Sequence, residues 1–208
     1  MTDEQESGVS ETDDADRGDT EAAEAIVLDY LARGDSDADV RALRRSPAVY
    51  AVRPADFALF GLALTDDTDV SIGDRVVVDG PDQHPAITTA QRVVYEDLSG
   101  GAQSELEYVV EEIVEAQEGR FVDFFNEAQP ISLRLHQLNL LPRIGKKLRN
   151  NILDARKRQP FDSFEEVEDR VSGLHDAKGI IVDRILEELL ETDLKYRNFV
   201  ADPPEDGS

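Results

Sequence analysis

The most restrictive feature of this chain is a change in the period of its apolar residues near residue 100. Before that point the apolar residues come in short runs. Ile26, Val27, Leu28, Tyr30 and Leu31 form the first, closed by Gly34 and an Asp/Ser cluster. From Val49 to Leu64 the pattern alternates and then becomes nearly continuous; Gly73, Val76 to Val78, Gly80-Pro81 and a run from Ile87 to Tyr95 follow. Period-two runs separated by Gly, Pro and Asp turns predict four or five short strands. Ser99, Gly100 and Gly101 break this texture. Ser104 with Glu107 then reads as a capping box ahead of the helical stripe Leu106, Val109, Val110, Ile113 and Val114. Further helical faces are predicted at Phe121, Phe124 and Phe125, at Ile131, Leu135, Leu138 and Leu141, after a second capping box at Ser163 and Glu166, and at Ile181 to Leu189.

Four or five strands are too few for a sandwich but enough for a small barrel of oligonucleotide-binding type, expected over residues 23–100. The predicted class is α+β, the barrel being followed by an all-helical domain over 101–200. Residues 1–22 contain many carboxylates and almost nothing that a core could bury, which predicts a disordered acidic tail, with a second short acidic tail over 201–208.

Charge is the next constraint. The 208 residues carry 46 Asp and Glu against 22 Lys and Arg, a formal charge of −24. Such self-repulsion is tolerable where salt shortens the Debye length to about 3 Å, so a salt-accumulating halophile is expected. Without cysteine, and with only three scattered His (His84, His136, His175), thiol chemistry and zinc sites are excluded and no cofactor is expected. No apolar run reaches the length of a membrane span, and the acidic N-terminus is unlike a signal peptide; a cytoplasmic location without membrane partners is expected.

One segment opposes the general charge. Between Ile131 and Arg158 stand Arg134, Arg143, Lys146, Lys147, Arg149, Arg156, Lys157 and Arg158 against Asp154 alone, a net +7 that leaves −31 for the other 180 residues. Within it, Leu141-Pro142-Arg143-Ile144-Gly145 resembles the hairpin of a helix-hairpin-helix motif, whose backbone amides grip nucleic-acid phosphates. Arg143 stands where that motif places its first Gly. A glycine turn lets backbone approach a ligand, and the first turn of the following helix offers unpaired N–H groups and the positive dipole end. Thirty residues on, Val171-Ser172-Gly173-Leu174-His175 repeats the order, which predicts a tandem unit over 131–192 with the second hairpin structural. The residues expected to bind nucleic acid are Arg143, Ile144, Gly145, Lys146, Lys147, Arg149, Arg156, Lys157 and Arg158.

Other candidates have a plainer reading. Phe121, Phe124 and Phe125 are read as core, and Glu111, Glu112, Glu115 and Glu118 as a solvated face. His136 and His175 are lone imidazoles. Tyr50, Arg53, Phe57, Phe60, Arg75 and Arg92 could offer aromatic and cationic contacts if they share one face of the barrel.

The stretches YVVEEIV (108–114), RFVDFFNEAQP (120–130), RLHQLNLLPRIGKK (134–147), residues 159–167, GLHD (173–176) and KYRNFV (195–200) resemble the archaeal family catalogued as domain of unknown function 655. The resemblance runs from about Leu28 to Val200. It implies an oligonucleotide-binding-like barrel followed by helix-hairpin-helix elements, an RNA-binding role near ribosomal and rRNA-modification genes, and no enzymatic residues. Three functions follow as expectations: binding of structured RNA with ribosomal or transcription-related partners, a duplex-DNA accessory module, or a protein-interaction scaffold. No catalytic constellation appears in order, so an enzyme is not expected.

Overall fold

A computed structural model describes residues 23–32, 43 and 46–204. The tail expected before residue 23, the loop at Gly34 and the last four residues lie outside the described residues. Five strands, β1 (Glu24–Leu31), β2 (Ala48–Val52), β3 (Leu59–Leu64), β4 (Arg75–Val77) and β5 (Ile87–Val93), form one antiparallel sheet in the order β4-β1-β2-β3-β5. The expected closed barrel is instead a curled half-barrel, because the outer strands β4 and β5 do not pair with each other among the described residues. β4 is only three residues long, and the chain turns away from it at Gly80, whose φ is +83°.

The nearly continuous apolar texture of residues 48–64 has a direct cause: β2 and β3 are buried at every position. Tyr50, Val52 and Leu59 face the helices, while Val49, Ala51, Phe60 and Leu62 fill the curl together with Val70, Val76 and Ile87. A bulge between Val27 and Asp29 lets β1 serve both layers, with Ala25 and Val27 in the curl and Leu28 and Leu31 against the helices.

That bulge also presents Asp29 to the first helix, α1 (Gly100–Ala116). The Ser99 hydroxyl donates to Asp29 Oδ2 at 2.5 Å and accepts from the Ala102 amide at 3.1 Å, so Ser99 is the N-cap. A Cβ on Gly101 would lie 2.6 Å from Asp29 Oδ2. The Ser-Gly-Gly that reads as a break is therefore the helix start, stripped of side chains where a carboxylate sits against the positive dipole end. Ser104, the expected cap, instead donates to the Gly100 carbonyl within the helix.

The remaining helices are α2 (Glu118–Glu127), α3 (Lys146–Arg156), α4 (Phe164–Arg170) and α5 (Ala177–Leu190). Phe121 and Phe125 are core, as read, and Phe124 packs on Phe199 with ring centroids 4.9 Å apart. Ser163 caps α4 by accepting from the Glu166 amide, while Glu166 reaches back to the Asp162 amide. No helix covers Ile131 to Leu141 despite the apolar spacing: residues 130–136 form a tight loop closed by a bridge between Pro130 and His136, and only the 3-10 turn Gln137–Leu140 follows.

One cluster of buried side chains runs from Leu28 and Tyr50 through Phe121 to Leu189, so the half-barrel and the helices share a core. The segment after α5 sews them together. Ala201 donates its amide to the Asp56 carbonyl, and Arg92 donates to the Asp202 carbonyl, so residues 201 and 202, expected in the tail, are tied to the half-barrel.

Candidate nucleic-acid interface

Two turns with the same form stand side by side in the helical half. In the first, Ile144 donates its amide to the Leu141 carbonyl, with Arg143 at φ +64°; in the second, Leu174 donates to Val171, with Gly173 at φ +88°. Leu141, Ile144, Val171 and Leu174 are all buried and anchor the two turns by their apolar residues. Arg143 thus occupies the left-handed conformation that glycine adopts freely. Its guanidinium bonds Asp183 and lies near Asp176, both reached from α5. On the other side, Asn151 of α3 donates to the Ser172 carbonyl, and Leu148 lies under Gly173. Each turn is therefore held by the helix that follows the other.

Arg143→Gly is expected to leave stability within about 1 kcal/mol of the parent. Relief of a left-handed side chain at roughly 1 kcal/mol offsets the loss of a half-exposed ion pair worth about 0–1 kcal/mol. Urea unfolding of both proteins checks it, and a loss above about 2 kcal/mol would show that the pair with Asp183 dominates.

The helix starts beyond the two turns differ. α5 is capped by Asp176, whose Oδ1 accepts from the Gly179 amide at 3.0 Å. α3 begins at Gly145 with extended backbone, no side-chain cap and no acidic residue in its first turn, and Gly145, Lys146 and Lys147 are exposed. One dipole end is occupied by the chain's own carboxylate and the other faces solvent. Asn139 braces the open turn, donating to the Ile144 carbonyl and accepting from Arg149.

The expected binding residues divide by what they touch. Lys146, Lys147 and Arg158 are exposed and have no partner among the described residues. Arg134, which belongs to the same basic segment, is equally free. Lys157 lies 3.7 Å from Asp154 with both side chains solvated. Arg149 is partly buried and engaged with Asn139 and Asn150. Ile144 is core. Arg156 departs most from its expected role, because it donates to the Phe125 and Ala128 carbonyls and so closes the C-terminal end of α2.

The sheet candidates do not assemble into a binding face. Tyr50 and Phe57 are fully buried. Phe60 is covered by Arg53 and Arg92, at 5.2 and 5.8 Å from its ring, and Arg53 is held bidentately by Asp56. Arg75 pairs with Glu24. Among the acids on α1 and α2, Glu111 and Glu115 bind Lys178, and Glu118 accepts from the Phe164 amide. No described residues form a group of three or more metal-ligating side chains, and no described helix is long and apolar enough to cross a membrane.

His136 sits at the base of the loop, where its Nδ1 accepts from the Leu138 amide. Burial first, then the neighbouring Arg156 and Arg149, hold its pKa below the ordinary imidazole value. The native state therefore binds fewer protons than the unfolded chain, so stability present above about pH 6.5 is lost as pH falls through the lowered value. His136→Asn keeps an acceptor for Leu138 and does not titrate. Its unfolding free energy is expected to fall less steeply than the parent's between about pH 7 and 5, and parallel curves would show that His136 is not the sensor.

Among the described residues, an antiparallel half-barrel sharing its core with five helices, two of them entered through matching turns, defines the fold class as α+β. The chain belongs to the family described as "Protein of unknown function (DUF655)", whose model matches residues 21–201. It is 39% identical over 178 residues to uncharacterized protein MJ0038 of Methanocaldococcus jannaschii, covering 85% of this chain and 78% of that one. The crystal structure of Af1531 from Archaeoglobus fulgidus, of the same family, superposes with a TM-score of 0.74 at 36% identity, covering 86% of this chain and 99% of that one.

Proposed function

We propose that this chain is a non-catalytic nucleic-acid-binding protein that holds structured RNA, of ribosomal or tRNA kind, by its backbone phosphates. One observation carries the reading. In a chain of net charge −24, the Lys and Arg side chains left without a partner among the described residues, Arg134, Lys146, Lys147 and Arg158, all fall between residues 134 and 158. Two of them stand on the first turn of α3, beside its uncapped amides. Phosphate contacts of this kind position a ligand without reading its sequence.

The matching turns support a tandem helix-hairpin-helix reading, in which the first hairpin binds and the second, closed by Asp176, supports it. The strand order likewise suits an oligonucleotide-binding barrel that remains open between β4 and β5. The acidic remainder of the surface fits a salt-rich cytoplasm.

The test is fluorescence anisotropy with a labelled RNA hairpin, an RNA single strand and a DNA duplex, together with crosslinking in native salt. Preference for the hairpin, with rRNA or tRNA fragments recovered, is the expected result. A preference for the DNA duplex would move the protein to replication, repair or transcription. Failure to bind any of the three at about 50 mM salt, where phosphate attraction is strong, would leave an acidic protein partner as the ligand of the cationic strip.

A further inference from the structure

We infer that Leu133 is an apolar wedge that enters a base step of the bound nucleic acid, an inference that rests on the proposed binding of nucleic acid. Leu133 is 107% exposed, whereas the other exposed large apolar side chains among the described residues, Tyr30, Ile72, Tyr108 and Leu190, range from 39% to 67%. A single exposed Leu is ordinary on a protein surface, but this one is displayed by a built loop. Ile131 and Ser132 donate their amides to the Leu135 carbonyl, and the Ser132 hydroxyl accepts from the Arg134 and Leu135 amides. At the base, Gln137 donates to the Gln129 carbonyl, and the Gln137 side chain accepts from the Gln129 amide. The loop spends its backbone amides on holding the turn, and what the turn presents is one leucine.

Its surroundings identify the partner. Arg134, the next residue, is exposed and unpartnered. Six residues beyond Leu133, Asn139 accepts from Arg149 of α3 at 3.0 Å and donates to the Ile144 carbonyl of the open turn at 3.1 Å, so the loop leads directly into that turn. The leucine thus stands beside the free Arg134, on the segment that leads into the turn carrying Lys146 and Lys147. An apolar side chain flanked by phosphate-binding cations is the arrangement with which proteins wedge stacked bases apart and bend the helix.

RNA stems with a one-nucleotide bulge, carrying 2-aminopurine at successive steps, provide the probe, because this base brightens when unstacked. With the parent protein, one probe position is expected to brighten several-fold on binding. Leu133→Ala should lose that signal and bind about tenfold more weakly, while Leu133→Met should keep both. Since Leu133 packs on nothing, none of these variants is expected to disturb the fold, which circular dichroism verifies. Tight binding with no brightening at any step, or brightening unchanged in Leu133→Ala, would overturn the wedge while leaving the phosphate contacts standing. If the parent binds no stem, the nucleic-acid reading fails and the wedge falls with it.

Discussion

Reversing Lys146 and Lys147 together to Glu is expected to weaken RNA binding by roughly 100-fold at about 50 mM salt, close to 2.7 kcal/mol. The two ammonium groups are the free cations nearest the uncapped end of α3, and each reversal replaces attraction with repulsion beside a dipole end that favours anions. The salt dependence gives a sharper reading. The four cations free among the described residues predict a log–log slope of roughly −3 to −4 for duplex and less for single strands, and Lys146→Ala with Lys147→Ala should reduce its magnitude by about 2. Lys195→Glu, a cation seated over Tyr196 outside the basic segment, should leave the slope unchanged. Because lowering salt also unscreens the −24 charge, far-ultraviolet circular dichroism at each salt separates unfolding from weaker binding. Equal slopes for the parent and the double alanine variant would remove α3 from the interface.

The same steepness sets what the proposed binding would require in concentrated salt. Four phosphate contacts at the predicted slope lose on the order of 100-fold between about 50 and 200 mM. Binding in molar salt therefore needs contributions that ions do not screen, such as shape, backbone amides and apolar contact. The amides of the open α3 turn, beside Lys146 and Lys147, and the exposed Leu133, beside Arg134, would be contributions of that kind.

What the sequence made legible was local. The strand runs, the Ser163 cap and the repeated turn each depend on neighbours a few residues apart, and each is present. Long-range contacts explain one misreading and local side-chain bonds another. Ser99-Gly100-Gly101 reads as a break because nothing nearby reveals that Asp29, seventy residues earlier, is the partner of that helix start. Ile131, Leu135, Leu138 and Leu141 have helical spacing, yet Ser132 and His136 bond the backbone amides that a helix would use, and Pro130 lacks an amide altogether. The basic segment was visible as charge, but its division was not. Arg156 differs from Arg158 only in lying near the free carbonyls of α2, and no pattern within the segment carries that information.

The least legible residue is also the one whose loss should cost the fold most. Glu188 is fully buried in α5, a position that reads as one more acid in an acidic helix. Its carboxylate accepts from Arg184 Nε at 2.7 Å and from the amides of Asn198, Phe199 and Val200 at 2.8 to 3.0 Å. Arg184, itself 4% exposed, also donates to the Tyr196 carbonyl, and Arg197 donates to carbonyls at the end of α5. The segment KYRNFV is thus folded back on α5 around Glu188 and Arg184, the latter also paired with Glu187. Glu188→Ala removes the acceptor of three amides and leaves the Arg184 guanidinium only the more exposed Glu187, 2.8 Å away, as counter-charge, a change that costs about 3–5 kcal/mol. For a chain of this size the midpoint should fall by roughly 6–20 °C. Limited proteolysis should then open the chain after residue 195, since Phe199 and the Ala201 bond to the half-barrel depend on that turn. A midpoint within about 2 °C of the parent, with the C-terminal segment still protected, would show that packing of Phe199 alone holds it.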